Sequence, residues 1–123
     1  MDTKLLGSYG EQRAAAFLRD KGYKLVGMNY HTRLGEIDLI VSDRKYIVFV
    51  EVKLRRSASF AAAREYVTVT KRRHIIAAAQ SWLQKNPSEL QPRFDVIEVY
   101  APEGMKESSL KIEHIENAFT LDY

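Results

Sequence analysis

The hydrophobic and polar positions along the chain predict two helices. Apolar residues recur every three or four positions over residues 3–21, which is typical of an amphipathic helix, and Gly22 can end that helix in a left-handed turn. A second stripe of this kind covers residues 71–85, with Thr70 as the expected N-cap and a proline just beyond the last turn as the stop.

Five shorter segments carry the apolar and β-branched residues that are typical of strands. They cover residues 24–30, 36–41, 46–53, 93–100 and 109–115. The third segment is apolar at both odd and even positions, so we expect helices to cover it on both faces of the sheet. The order of the elements predicts an α/β domain around a mixed sheet, with the last strand at an edge.

The length of 123 residues allows one compact core and is short for two domains. We therefore expect a single domain over residues 1–123. Its core should span about 3–100, and residues 101–123 should form a C-terminal extension that contains the edge strand. Residues 57–69 mix alanines with serines and β-branched residues and are interpreted as a loop.

Two features of the helices need a separate explanation. Gly7 and Gly10 are unfavourable inside a helix, so the first helix either packs closely against another element there or begins near Ser8. Trp82 falls on the apolar stripe of the second helix, which favours a core position over a platform for stacking bases.

Acidic residues within otherwise apolar strands are the most informative feature of the sequence. The polar segment between the second and third strands has the composition of a tight connection, and a two-residue turn at Arg44-Lys45 would set Asp38 directly opposite Glu51. Lys53 lies two residues beyond Glu51 and therefore points to the same face. The sequence predicts two acids and a lysine close together on one face of the sheet.

Two carboxylates that face each other across an antiparallel pair repel, so something must offset their charge. One answer is a protonated carboxyl group, because close carboxylates raise one pKa, and the other answer is a bound divalent cation. The alternative is a buried ion pair with a purely structural role. Buried charge is costly, however, unless it serves a function or is fully paired. Two acids and one lysine leave a net negative site, which a metal ion would complete.

Composition narrows the choice of metal. The chain has no cysteine and three scattered histidines, so a thiolate zinc site is excluded and oxygen ligands favour Mg²⁺ or Mn²⁺. Glu36 is a further oxygen donor or a solvent-exposed residue, and Glu11 joins the site if the first helix packs across it. Carboxylates, a divalent cation and a nearby positioning group are the parts that phosphodiester hydrolysis requires.

Basic residues are concentrated directly after this acidic pair. From Lys53 to His74 there are seven lysines and arginines against one glutamate, and the whole chain has a net charge of +3. Such a run is usually a solvated face, but phosphate contacts from basic side chains dominate nucleic-acid affinity, and the neighbouring acids favour that interpretation. Arg55 points to the face of the site, so it is better placed to contact phosphate than Arg56.

No stretch approaches the ~20 apolar residues that a membrane-spanning helix needs. The N-terminal residues also lack the apolar core of a secretory signal. We therefore expect a soluble cytoplasmic protein without a membrane partner.

Five motifs follow one another in the chain: GxxGE at 7–11, GEIDLI at 35–40, VFVEVKLR at 48–55, a lysine opening the second helix at 71, and RFDVIEV at 93–99. This series closely resembles the YraN-like family, a widespread bacterial group of predicted endonucleases similar to archaeal Holliday-junction resolvases. The resemblance covers nearly the whole chain, to about Tyr100, and the ordered set is specific where a single motif is not.

The resemblance implies the αβββαβ core of restriction-endonuclease-like nucleases. It implies that Asp38 and Glu51 are metal ligands and that Lys53 positions a water molecule. Glu11 would be a first-helix acid that approaches the metal, and Lys71 would stand where related nucleases often place a polar residue that assists the site. The residues expected to bind nucleic acid are Arg55, Arg56, Lys71 and Arg72.

Two functions remain open at this point. The first is an Mg²⁺- or Mn²⁺-dependent endonuclease that hydrolyses DNA, including branched or junction DNA. The second is a nucleic-acid-binding or partner-recruiting module that keeps the nuclease fold without efficient catalysis. Symmetric cutting of a four-way junction would require a two-fold homodimer, which the sequence does not settle.

Overall fold

The structure, a computed structural model, describes residues 3–55, 68–100 and 110–120, with side chains from residue 9 onward. The elements in chain order are α1 (Thr3–Asp20), β1 (Lys24–His31), β2 (Glu36–Ser42), β3 (Tyr46–Arg55), α2 (Val69–Lys85), β4 (Gln91–Tyr100) and β5 (Lys111–Phe119). Most of the predicted loop at 57–69 lies outside the described residues. In the ranges described, neither helix has the length and apolar character needed to cross a membrane.

The five strands form one sheet in the order β1-β2-β3-β4-β5. Strand β3 pairs with β4 in parallel, and the other neighbouring strands pair antiparallel. The parallel pair needs a crossover connection, which α2 provides. The predicted α/β class with a mixed sheet and an edge position for the last strand is confirmed, and the architecture is compatible with the restriction-endonuclease-like fold.

Helices cover both faces of the sheet, as the apolar third strand predicts. Val48 and Val50 of β3 pack in the cluster that contains the buried residues of α1, whereas Ile47 and Phe49 pack in the cluster that contains those of α2. Trp82 of α2 is half-buried and packs edge-on against the core residue Phe49, with ring centroids 5.9 Å apart, as expected for a residue on the apolar stripe. The alternation of β3 between two covered faces explains its unbroken apolar run.

The connection between β2 and β3 is the predicted tight turn. The Asp43 backbone N–H donates to the Tyr46 carbonyl at 3.0 Å, and the two residues between them form the turn. The strand pairing that follows continues to the position next to Asp38 and Glu51. The turn therefore sets these two acids opposite each other at the far end of the hairpin.

Gly10 within α1 marks a close contact, and Gly22 just after α1 marks its end. Gly10 is buried, and a Cβ atom there would lie 3.6 Å from Leu54 Cδ1, so the helix crosses directly over β3. The helix begins at Thr3 and not near Ser8, which leaves close packing as the correct explanation. Gly22 has a φ of 100° and ends the helix in the left-handed turn that the sequence predicts.

The predicted start of the second helix at residue 71 was wrong by two residues. Thr68, and not Thr70, is the N-cap, because its backbone is extended and its side chain accepts a 3.1 Å hydrogen bond from the Lys71 N–H. Threonine is a favourable cap at either position, so the sequence alone does not distinguish them. The predicted end at Lys85 is confirmed.

Strand β5 starts at Lys111 and runs to Phe119, four residues beyond its predicted end. A register shift beside Phe94 of β4 marks a bulge, and Asn117 adopts a positive φ of 51°. The Asn117 N–H donates to Asp95 Oδ1 at 2.9 Å, after which Phe119 stacks on Phe94 with centroids 5.1 Å apart. The bulge interrupts the alternation by which a strand is predicted, and this explains the short prediction.

Candidate active site

Two lysine ammonium groups converge on one carboxylate oxygen of Glu51. Lys71 Nζ lies 2.7 Å from Glu51 Oε1, and Lys53 Nζ lies 3.2 Å from the same atom. The Glu51 side chain is only 6% exposed, and a carboxylate buried to this degree needs such partners. Lys53 reaches Glu51 from further along β3, and Lys71 reaches it from the first turn of α2.

Asp38 adds a second, half-buried carboxyl group beside Glu51. Its Oδ2 accepts a 2.8 Å hydrogen bond from the Val52 backbone N–H, and its side chain also hydrogen-bonds with the Glu51 side chain. Burial, followed by the negative charge of Glu51, raises the pKa of Asp38 from 3.8 to about 8. Asp38 is therefore protonated near neutral pH, and its proton lies in the hydrogen bond with Glu51.

Glu11 brings a third acid to the site from α1. Its side chain hydrogen-bonds with Asn29 of β1 and with Asp38. Burial raises the pKa of Glu11, and these hydrogen bonds offset the increase only in part. Asn29 was not anticipated from the sequence; its φ of 50° lies in the left-handed region, which asparagine tolerates better than most residues. The structure thus places Glu11 of α1 beside Asp38.

The two lysines are in different electrostatic environments. Burial lowers the pKa of Lys53, and the attraction of Glu51 does not restore it because the ammonium group of Lys71 is also close. Burial acts on Lys71 in the same direction, but the hydrogen bond with Glu51 outweighs it and the pKa of Lys71 is raised. Lys71 is therefore the firmly charged partner of Glu51, and Lys53 is held charged less strongly.

The other residues predicted around the site are spread more widely. Glu36, considered as an oxygen donor, is exposed and pairs with His31 Nδ1 at 2.9 Å. The Arg72 guanidinium carbon lies 5.8 Å from the centre of the Phe119 ring, where it packs on the core of the α2 face. Arg55 is half-buried at the end of β3, and Arg56 lies outside the described residues.

One further acid on this face was missed by the sequence analysis. Glu98 is fully buried, stands beside Lys53 in the parallel register of β3 and β4, and accepts a hydrogen bond from the Tyr100 hydroxyl. That hydrogen bond raises the pKa of Tyr100 to about 12. Val96, two residues earlier, packs in the core on the α2 side, so simple alternation along β4 could have assigned Glu98 to the same face.

A second buried polar network lies near the start of β4. Arg93 donates to the two oxygens of Asp95 from Nε at 2.9 Å and from Nη2 at 2.8 Å, and Nη2 also donates to the Tyr23 hydroxyl at 2.6 Å. His114 Nε2 lies 2.7 Å from Asp95 Oδ2. Burial alone would raise the pKa of Asp95, but the hydrogen bonds from His114 and Arg93 outweigh it and lower that pKa. Asp95 is therefore well paired.

The acids of the candidate site suit a hard divalent cation. Within the ranges that the structure describes, no group of three or more histidine, cysteine, aspartate or glutamate side chains stands ready as a set of metal ligands. The Asp38 and Glu51 pair is the smaller set that Mg²⁺ accepts, because this ion keeps several waters and needs one or two carboxylates. Burial first, and then the negative charge of Glu51, raises the pKa of Asp38, and a bound cation would favour the ionised carboxylate.

The sequence matches the model of a family described as "Uncharacterised protein family UPF0102" over residues 10–99. The chain belongs to the UPF0102 family. The YraN-like family is the same family, so the resemblance of the ordered motifs is confirmed. The matched range of the UPF0102 model contains all the residues of the candidate site, from Glu11 to Glu98.

Individual UPF0102 proteins are similar to this chain over nearly their whole length. A UPF0102 protein of Caldicellulosiruptor saccharolyticus is 41% identical over 120 residues, which cover 97% of this chain and 100% of the relative. One of Caldanaerobacter subterraneus is 45% identical over 121 residues, with coverages of 97% and 98%. One of Geobacter sulfurreducens is 41% identical over 121 residues, with coverages of 98% and 92%. These names give a family and no activity.

Proposed function

We propose that this UPF0102 protein is a divalent-metal-dependent endonuclease that hydrolyses phosphodiester bonds in DNA, including branched or junction DNA. The observation that carries the proposal is the convergence of Glu11, Asp38 and Glu51 with Lys53 and Lys71 at one end of β2 and β3. Three acids and two amines are a costly group to place together in a small core, and strongly perturbed pKa values of this kind cluster at functional sites.

The charges of the cluster support a role for Mg²⁺ or Mn²⁺. The two ammonium groups of Lys53 and Lys71 balance the charges of any two of the acids Glu11, Asp38 and Glu51. Ionisation of all three acids leaves one negative charge in excess, which a divalent cation would neutralise. Asp38 and Glu51 would hold the cation, whose chemistry there is to polarise a phosphoryl oxygen and to acidify a bound water.

The remaining residues have distinct roles in this proposal. Lys53 lies beside Glu51 with a lowered pKa, so its amine can orient the attacking water and stabilise charge on the reacting phosphate. Lys71 keeps its positive charge and offers a contact for the phosphate backbone. Glu11 positions the Asp38 carboxyl group through their hydrogen bond.

The first test is cleavage by the purified protein of single-stranded, duplex and four-way-junction DNA with Mn²⁺. We expect cleavage of at least one substrate, and a loss of about 100-fold or more in Glu51→Gln and in Lys53→Ala. Lys24→Ala is the matched control, because Lys24 is exposed at the far end of β1 and should cleave like the wild type. Cleavage that survives in Glu51→Gln would contradict the proposal.

Calorimetry with Mn²⁺ separates a nuclease from a binding module that has no catalysis. We expect the wild type to bind Mn²⁺ and Asp38→Asn to lose most of this binding, because the amide removes a charged oxygen ligand. A wild type that binds no divalent metal, together with unchanged DNA affinity in Asp38→Asn, would favour the non-catalytic module.

The proposal includes a cytoplasmic location and, for symmetric cutting of a four-way junction, a two-fold homodimer. A symmetric pair of cuts requires two active sites related by the symmetry of the junction. Analytical ultracentrifugation of the protein with a junction should then show two chains per junction. One chain per junction would contradict symmetric cutting by a dimer.

A further inference from the structure

The tip of the β1–β2 hairpin, residues 32–35, is a tightly bonded turn. The Thr32 hydroxyl accepts hydrogen bonds of 3.0 Å from the N–H groups of Leu34 and Gly35 and donates one of 3.0 Å to the Gly35 carbonyl. The Thr32 backbone N–H donates to the same carbonyl at 2.8 Å. Four hydrogen bonds within four residues fix the shape of this turn.

The hairpin tip also rests directly against α2. A Cβ atom on Gly35 would lie 2.5 Å from the His74 carbonyl oxygen, so the close approach of the two backbones requires glycine. His74 is three residues after Lys71 and lies on the same side of the helix, and Lys71 contacts Glu51. The tip is therefore held at the edge of the candidate active site.

This rigid tip presents an apolar side chain to solvent. Leu34 is 59% exposed, more than any other large apolar residue in the described ranges, and the adjacent Arg33 is also exposed. Four residues at about 3.3 Å each place Leu34 within about 13 Å of Asp38. A DNA strand advances about 3.4 Å per nucleotide, so a phosphate held at Asp38 would have bases within about four steps of Leu34.

We propose that Leu34 is a wedge that inserts between DNA bases near the cleaved phosphate, while Arg33 contacts an adjoining phosphate. The inference rests on the proposed function for the identity of its substrate. Proteins that deform DNA commonly insert an apolar side chain between bases, next to basic residues that hold the backbone. The chain would therefore prefer DNA in which a base step is already weakly stacked, such as a mismatch or a branch point.

The charge around the tip favours DNA over an apolar protein partner. Arg33 lies on the tip and Lys71 lies on the first turn of α2, while the adjacent exposed acid, Glu36, is paired with His31. A single exposed leucine is too small for the core of a protein interface, whereas one such side chain is enough to separate two bases.

The test uses a short duplex that contains 2-aminopurine beside a single mismatch, and its fully paired counterpart, both in EDTA so that no turnover occurs. We expect the wild type to bind the mismatched duplex about tenfold more tightly and to increase 2-aminopurine fluorescence as the base unstacks. Leu34→Ala should lose both the preference and the fluorescence increase. Leu34→Met should keep them, because methionine is also long and apolar.

Val26→Ala is the matched control, because Val26 is 41% exposed but lies near the other end of β1. Wild-type behaviour in Leu34→Ala, or an equal loss in Val26→Ala, would overturn the wedge. A change of oligomeric state in Leu34→Ala, with unchanged fluorescence, would also overturn it and indicate a second copy of the chain as the partner.

The same samples then receive Mn²⁺, which separates this inference from the proposed function. If Leu34→Ala cleaves DNA as the wild type does and still prefers the mismatched duplex, the wedge is overturned and the proposed nuclease activity stands. A Leu34-dependent fluorescence increase without cleavage of any substrate would overturn the nuclease and leave the wedge. If the wild type binds neither duplex, both the wedge and the proposal that DNA is the substrate are overturned.

Discussion

Asp95 is buried in the sheet and Asp38 is half-buried there, and the two carboxyl groups have different hydrogen-bond partners. Asp95 is bonded to Arg93, to His114 and to the backbone N–H of Asn117, and these contacts lower its pKa. Asp38 accepts one backbone hydrogen bond, and burial first and then the negative charges of Glu51 and Glu11 raise its pKa to about 8. The side-chain hydrogen bonds of Asp95 come from basic residues, whereas those of Asp38 are with other carboxyl groups.

The comparison separates two uses of buried charge. At the start of β4 the charges are matched, and such a network is costly to break because removal of one member leaves another buried without its partner. At the end of β2 and β3 the acids are in excess, which costs stability unless a proton or a cation is bound. Sites that violate the ordinary rule of pairing are the ones expected to have a function.

The largest effect is expected from breaking the buried network of Arg93, Asp95 and His114 at the start of β4. Asp95→Ala leaves the guanidinium of Arg93 buried without its main partner, and we expect a loss of about 3–5 kcal/mol in the free energy of unfolding, measured with urea. Glu116→Ala is the control in the same network. Glu116 is 54% exposed and 3.6 Å from Arg93 Nη2, so its loss should cost under about 1 kcal/mol. Equal losses would show that Asp95 is not specially paired.

The next effect is a change in how stability depends on pH when Asp38 is replaced by asparagine. A carboxyl group with a raised pKa favours the fold while it is protonated, so its contribution is complete below about pH 4 and is lost as pH rises through about 8. Asp38→Asn cannot ionise and should be more stable than the wild type at about pH 9, by a few kcal/mol on the order of this shift. Urea unfolding between about pH 5 and pH 9 measures the difference.

Glu36→Gln controls for the loss of a carboxylate at the same end of β2, because Glu36 is exposed. It should follow the wild type throughout this pH range. If the free energy of unfolding changes with pH in the same way for Asp38→Asn and the wild type, ionisation of Asp38 does not destabilise the fold. Asp95 has the opposite sign: its lowered pKa gives stability that is present above about pH 4 and is lost as pH falls.

The same comparison shows how far the sequence could predict the site. Asp38 and Glu51 could be placed opposite each other, with Lys53 on the same face, because side-chain alternation and the turn at 44–45 are local rules. Lys71 lies one crossover away, and only the resemblance to a family placed it near the site. Glu98 follows the same local rule as Glu51 and was overlooked because its strand was interpreted only as a structural element.

The buried network at the start of β4 could not be predicted, because its contacts join distant parts of the chain. Asp95 meets His114 from β5, and Arg93 meets Tyr23 from the turn after α1. Nothing in the spacing of these residues indicates that they meet. The bulge at Asn117 hides the pairing further, since it breaks the alternation that would have aligned β5 with β4.

A smaller effect is expected at Gly35, where the β1–β2 hairpin tip packs against the backbone of α2 beside the candidate site and no charge is involved. A Cβ atom would lie 2.5 Å from the His74 carbonyl oxygen, so Gly35→Ala should cost about 1–3 kcal/mol. The loss should be the same at about pH 6 and pH 8 in urea unfolding, unlike that of the ionisable groups. Gly27→Ala is the control, with its nearest contact at 3.6 Å from Ile40 Cδ1. A loss no larger in Gly35→Ala than in Gly27→Ala would contradict the close approach.

The smallest effect concerns how Lys71 completes the charge balance of the site. Its ammonium group lies 2.7 Å from Glu51 Oε1 and competes there with a divalent cation. The Lys71 side chain is 42% exposed, so this ion pair is worth about 0.5–1 kcal/mol, and Lys71→Met should bind Mn²⁺ about two- to fivefold more tightly in calorimetry. Arg73→Met removes the same charge from an exposed position on the same helix and should leave Mn²⁺ affinity unchanged. Weaker Mn²⁺ binding in Lys71→Met would mean that Lys71 orients Glu51 for the metal and does not compete with it.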